Sequence, residues 1–170
     1  MSGLVACPSC GDAYPDLGLP APADLRASGE CRAASAERFA PFYAAPLVGH
    51  RQLVVDAYAC THPDAGTRKG AQATALSLMT LDLMLECGQP VADGSAMHHE
   101  MMRAGPPTFP ALAAPSLAGV PTSRIVEGRS AGELPAIARE WAEAVWAAWS
   151  DHHGQVRAWN EQLVPQRVRG

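Results

Sequence analysis

Two cysteines with two residues between them, Cys7-Pro8-Ser9-Cys10, followed at once by Gly11, form the most chemically specific pattern in the chain. This spacing lets two thiolates converge on one ion, and the glycine permits the left-handed turn that aims backbone amides at sulfur. A structural metal site takes four ligands, and Cys31 supplies a third thiolate across a Pro- and Gly-rich stretch long enough to fold back. The first choice for the fourth is His50, early on an expected helix with its imidazole free to point at the loop; Cys60 and His62 are the alternatives. The expected cofactor is therefore zinc, held by Cys7, Cys10, Cys31 and His50, in a Cys3His site that staples the N-terminal region to a helical body and contributes to folding. A thioredoxin-like redox pair would follow a strand in a βαβ setting, which this sequence does not offer. Cys87, at the end of an apolar helix, reads as a small buried hydrophobe.

Histidine carries the second possibility. Six occur, and four form adjacent pairs, His98-His99 and His152-His153, on expected helices. Successive helical residues point about 100° apart, so one member of each pair at most faces a given interior point. One from each pair together with His62 would make a three-imidazole set with open coordination positions, suited to a second transition metal and to catalysis. That arrangement is the rival reading, a metal-dependent enzyme; the plain reading makes the same residues solvated or capping groups. Asp56 is either a solvated helix charge or the carboxylate that orients an imidazole. Gln72 either bonds a histidine or faces water. Whether the chain is an enzyme is not decided by its residues, which contain no phosphate-binding Gly-rich loop, no His-Glu-x-x-His and no nucleophile elbow.

The elements that must position these side chains follow from periodicity and breakers. Residues 1–34 are rich in Gly, Pro and Asp and read as a cysteine-bearing loop region. Helices are expected across 35–104: one from Ser35 to Ala44, one from Leu47 to Cys60, a long one from Arg68 to Cys87 capped by Thr67 and closed by Gly88, and a short one from Asp93 to Arg103. Residues 105–129 hold too many Pro and Gly for a regular element beyond brief strands around Leu117 or Ile125, and read as a covering loop. Residues 130–164 read as a C-terminal helix or helix pair, with Trp141 and Trp149 eight residues apart on one face, the spacing of a core stripe. The fold class is mainly α: four or five helices in one domain, with an N-terminal zinc-knuckle loop region.

With 170 residues, 48% of them hydrophobic and 18% charged, the chain has the balance of a globular domain. A net charge of -4 argues against a nucleic-acid or anionic-membrane partner, and a small-molecule or protein partner is left open. No stretch is apolar enough for a signal peptide or a membrane span, and five cysteines, an odd count, fit a disulfide framework poorly, so a cytoplasmic location is expected.

Taken in order, Cys7-Pro8-Ser9-Cys10-Gly11, then Cys31, then His50 through Asp56 and Tyr58 into His62-Pro63, and last Trp141 through Trp146 and Trp149 to His152-His153, resemble a bacterial family known as domain of unknown function 5946. The resemblance runs from about Cys7 to Trp159 and implies a compact, metal-binding bacterial protein; it brings no activity with it.

Overall fold

The hydroxyl of Thr67 accepts from the backbone N–H of Gly70 at 3.0 Å and so caps the longest helix. In a computed structural model of the chain, described over residues 3–104, 108–120, 122, 125 and 129–163, this helix, α3 (Arg68–Leu85), runs through the centre. Its side chains from Ala75 to Met84 are buried on every side, as expected of a helix that is apolar nearly all round. The helix before it, α2 (Arg51–Thr61), packs along α3, and α4 (Gly94–Arg103), α5 (Leu134–Ala148) and α6 (His153–Leu163) complete the surround. Each neighbour turns an apolar stripe inward: Leu53, Val54 and Ala57 from α2, Met97 and Met101 from α4, and Trp141, Val145 and Trp146 from α5.

Two short strands, β1 (Leu4–Ala6) and β2 (Ala13–Pro15), pair antiparallel with Val5 opposite Tyr14. They correct the expectation of wholly irregular backbone before Ser28; three residues per strand are too few to show an alternation. The first helix, α1 (Gly29–Phe39), starts six residues earlier than the expected Ser35, because Ser28 accepts from the Cys31 N–H at 3.1 Å and caps it. Cys31 therefore sits in the first turn of a helix and not in a loop. The expected Leu47–Cys60 helix begins instead as a 3-10 turn over Leu47–His50 and becomes α-helical at Arg51.

The segment expected as a covering loop does cover the body where it is described. Phe109 packs on Trp159 with ring centroids 4.6 Å apart, and Leu117, Val120 and Ile125 are buried. No strand forms at Leu117 or Ile125; residues 105–107, 121, 123, 124 and 126–128 of this segment lie outside the described residues. At the C-terminal end, α5 stops at Ala148, a 3-10 turn spans Ser150–His152, and α6 follows, so Trp149 leaves the helix and buries its ring with its indole N–H donating to the Cys60 carbonyl at 3.0 Å. Among the described residues no helix is long and apolar enough to cross a membrane.

Gly29 closes the joint between the hairpin and α1. A methyl group there would run into the backbone of Leu19, which is itself pinned because its N–H and that of Leu17 donate to the Glu30 carboxylate at 3.0 and 3.3 Å. Gly29→Ala is expected to destabilise the fold by about 1–3 kcal/mol through this overpacking. The measurement is thermal unfolding, and an unchanged melting temperature would show that the Leu19 turn yields freely.

Candidate metal centre

Between β1 and β2 the chain makes a knuckle. The Cys7 N–H donates to the Asp12 carbonyl at 2.8 Å, the Gly11 N–H donates to the Cys7 carbonyl at 3.1 Å, and Gly11 takes a φ of 77°, which a side chain rarely tolerates. This turn points both knuckle thiols at the first turn of α1, where Cys31 waits. The Cys10 and Cys31 sulfurs are 3.9 Å apart. The fourth group is His62, at the C-terminal end of α2, whose Nε2 lies 3.4 Å from the Cys31 sulfur. One ligand atom from each of Cys7, Cys10, Cys31 and His62 lies within 4.8 Å of every other, and all four residues are buried.

These separations fit a metal ion. Around a tetrahedral ion with metal–sulfur bonds of about 2.3 Å and a metal–nitrogen bond of about 2.0 Å, neighbouring sulfurs stand about 3.8 Å apart and a sulfur and nitrogen about 3.5 Å. The imidazole is also in the right tautomer: Nδ1 lies 2.9 Å from the Tyr58 carbonyl, which can only accept, so Nδ1 carries a proton and Nε2 faces the sulfurs. A hydrogen-bond relay holds the parts in register, from the Ser9 hydroxyl to the Arg26 carbonyl at 2.6 Å and from the Arg26 N–H to the His62 carbonyl at 3.1 Å.

The electrostatics point the same way. Hydrogen bonds from Cys10 and Cys31 pull the Cys7 thiol far below its ordinary range, whereas contact with the other two sulfurs pushes Cys10 far above it. The group thus holds a first negative charge readily and resists a second. Burial works to lower His62, but hydrogen bonds to the Cys31 and Cys7 sulfurs raise it to about 9. A proton on His62 balances the first thiolate; a divalent ion would displace that proton and let the remaining thiols ionise.

The family of unknown function DUF5946 matches residues 5–150. The chain belongs to that family. Neither the curated proteins nor the solved structures contain a match to it. The match to DUF5946 takes in all four residues of the cluster.

His50, the first choice for the fourth ligand, is not part of the cluster in this DUF5946 chain. It stands at the opposite end of α2, twelve residues or about 18 Å of helix away from His62, half-buried with its Nδ1 unpartnered. His62 is the residue that closes the set, and the signal for it was Pro63, which ends α2 there and leaves the ring at the helix terminus. Cys60 is core: burial raises its thiol well above its ordinary range, and its carbonyl receives Trp149. Cys87, expected to be buried, is exposed.

The histidines expected to form a second site do not converge. His62 is taken up by the cysteines; His98 turns its Nδ1 to Asp56 at 3.5 Å; His99 is exposed; His152 Nε2 meets the Ala113 carbonyl at 2.8 Å; and His153 stacks on Trp146 at 3.8 Å with Nε2 on the Trp146 carbonyl. Among the described residues no second group of His, Cys, Asp or Glu gathers tightly enough to hold an ion. Asp56 is fully buried, not a solvated charge, and it does orient an imidazole, that of His98. Gln72 accepts from the Phe109 N–H at 3.4 Å.

Two tests follow from these placements. His62→Ala is expected to abolish metal retention, while His50→Ala leaves the metal content of purified protein unchanged; the reverse result would return the fourth position to His50. The Asp56–His98 pair sets a pH dependence. Burial raises Asp56; for His98 burial opposes the charge, but the hydrogen bond and charge of Asp56 raise it. A histidine with a raised folded pKa adds stability that is full below its unfolded value of about 6.5 and is lost as pH climbs through the folded value. Thermal unfolding of His98→Gln should therefore lack this loss above about pH 6.5, and parallel wild-type and variant curves would refute the pairing.

Proposed function

We propose that this protein binds one zinc ion through Cys7, Cys10, Cys31 and His62, and that the ion is structural. The observation that carries the reading is the approach of three thiols and one Nε2 to within 4.8 Å of one another inside the protein. Four protein ligands complete a tetrahedron and leave no position for water or substrate, which distinguishes a structural from a catalytic site. The mixture of thiolate and imidazole suits zinc better than hard cations, which prefer oxygen. The ion would join three segments, the β1–β2 knuckle, the first turn of α1 and the end of α2, adding to ties such as Arg38 to Tyr14 and Phe39 against Tyr58. Its role is then to fix the N-terminal region on the helical body as a binding or accessory protein, with a partner other than nucleic acid or an anionic membrane, as the net charge of -4 supports.

The experiment is metal analysis of freshly purified protein, followed by chelation. One zinc per chain is expected, and Cys10→Ser should release it and lower the melting temperature by on the order of 10 °C. Cys87→Ala should keep both. Wild-type protein without zinc, or a Cys10→Ser variant as metal-rich and stable as wild type, would overturn the reading.

A further inference from the structure

A cavity of about 720 Å³ opens between α2, α3 and α4, separate from the cysteine cluster. Its volume is that of a small-molecule site. Val55 and Ala59 of α2, Ala73 and Leu76 of α3 and Met102 of α4 make its walls mostly apolar; its charged groups are Asp56 and His98 on one side and Arg68 and Lys69 on the other, with Gln72, which accepts from the Phe109 N–H, between Arg68 and Leu76 along α3.

At the inner end is Asp56, whose side chain is 1% exposed. Its Oδ1 accepts from Gln52 Nε2 at 2.9 Å and faces His98 Nδ1 at 3.5 Å, the Ser77 hydroxyl stands near the carboxylate, and Oδ2 makes no direct hydrogen bond among the described residues. The Thr80 hydroxyl donates to the Leu76 carbonyl at 2.9 Å, so its oxygen, 3.4 Å from His98 Nδ1, is free to accept. With acceptors on that side, Nδ1 carries a proton directed at the Asp56 carboxylate and the Thr80 oxygen, and the charge of Asp56 favours the protonated ring. The inner end thus offers one acceptor without a partner, Asp56 Oδ2, and a buried carboxylate oxygen left unpaired is costly. A donor from a ligand would satisfy it.

At the outer end stand Arg68 and Lys69, exposed at the start of α3, where the helix dipole adds partial positive charge. Arg68 uses one N–H, from Nη2, on the Thr108 hydroxyl at 3.1 Å, leaving the rest of its fork available. Lys69 pairs with Asp24 at 2.9 Å in an exposed bridge of little strength. Ser77, beside Asp56, lies nine positions after Arg68 on α3, about 13.5 Å of helix.

We propose that this cavity binds a small apolar acid that carries a hydroxyl group, with the hydroxyl donated to Asp56 of the Asp56–His98 pair and the acid held by Arg68 and Lys69. The walls supply the apolar contact between the two ends. This site is independent of the metal centre and does not require it.

The test uses 3-(4-hydroxyphenyl)propanoate as probe, with 3-phenylpropanoate, which lacks the hydroxyl, and 4-ethylphenol, which lacks the acid, titrated calorimetrically into the full chain. The hydroxy acid is expected to saturate with a Kd of about 1 mM or tighter, at least tenfold tighter than either control. Arg68→Ala, an exposed change that leaves the core intact, should remove the advantage over 4-ethylphenol. Asp56→Asn should remove the advantage over 3-phenylpropanoate, and His98→Gln serves for the same reading where Asp56→Asn does not fold. Absence of saturable binding, equal binding of all three probes, or an Arg68→Ala variant with unchanged preference would each overturn the proposal.

Discussion

Three sulfurs and one imidazole nitrogen meet in a part of the protein that water does not reach, and their contact sets the terms for everything around it. Sulfurs so close together cannot all ionise unless a cation joins them, and a protonated cluster leaves weak donors and acceptors in place of strong bonds. The residues that converge come from separate segments: Cys7 and Cys10 from the knuckle, Cys31 from the start of α1, and His62 from the end of α2. The hairpin has only three residues per strand, and a lone hairpin of that size is not stable in water. Its position is therefore owed to its contacts with the rest of the protein: the cluster, the bond from Ser9 to Arg26, and the buried Tyr14, whose hydroxyl receives Arg38 at 2.9 Å.

The helix α2 serves two separate purposes along its length. Its C-terminal end delivers His62 to sulfur, and the preceding turn supplies the Tyr58 carbonyl that fixes the ring. Its middle places Asp56 under the cavity shared with α3 and α4. Trp149 ties the two halves of the chain together, because its indole N–H reaches the carbonyl of Cys60, two residues before His62. A buried indole needs such a partner, and α5 must end at Ala148 for Trp149 to reach it.

The long helix was plain from the sequence because its cap, its apolar face and its glycine stop agree: Thr67 before it, Gly88 after it at a φ of 70°. The three cysteines of the cluster were legible for a similar reason, since their spacing has few structural uses. The fourth ligand was not, because His50 and His62 flank α2 at its two ends and a one-dimensional pattern does not say which end of a helix meets a loop. The start of α1 was hidden by Gly29, which looks like a breaker and is in fact required by the close approach of Leu19. Burial of Asp56 was equally hidden, because a lone carboxylate on a helix normally faces water, and only the packing of α4 over α2 brings His98 to it.

All four residues of the cluster lie within the first 62 positions, ahead of α3 to α6. During synthesis at about 5–20 residues per second, the remaining described chain takes on the order of 5–20 s to appear. The hairpin, α1 and α2 thus leave the ribosome with a complete ligand set before the rest of the described chain exists. Metal capture by the nascent chain would give the later segments an ordered surface on which to dock, among them the stretch from Ala114 to Ala118, which lies beside Pro8, Ser9 and Pro63.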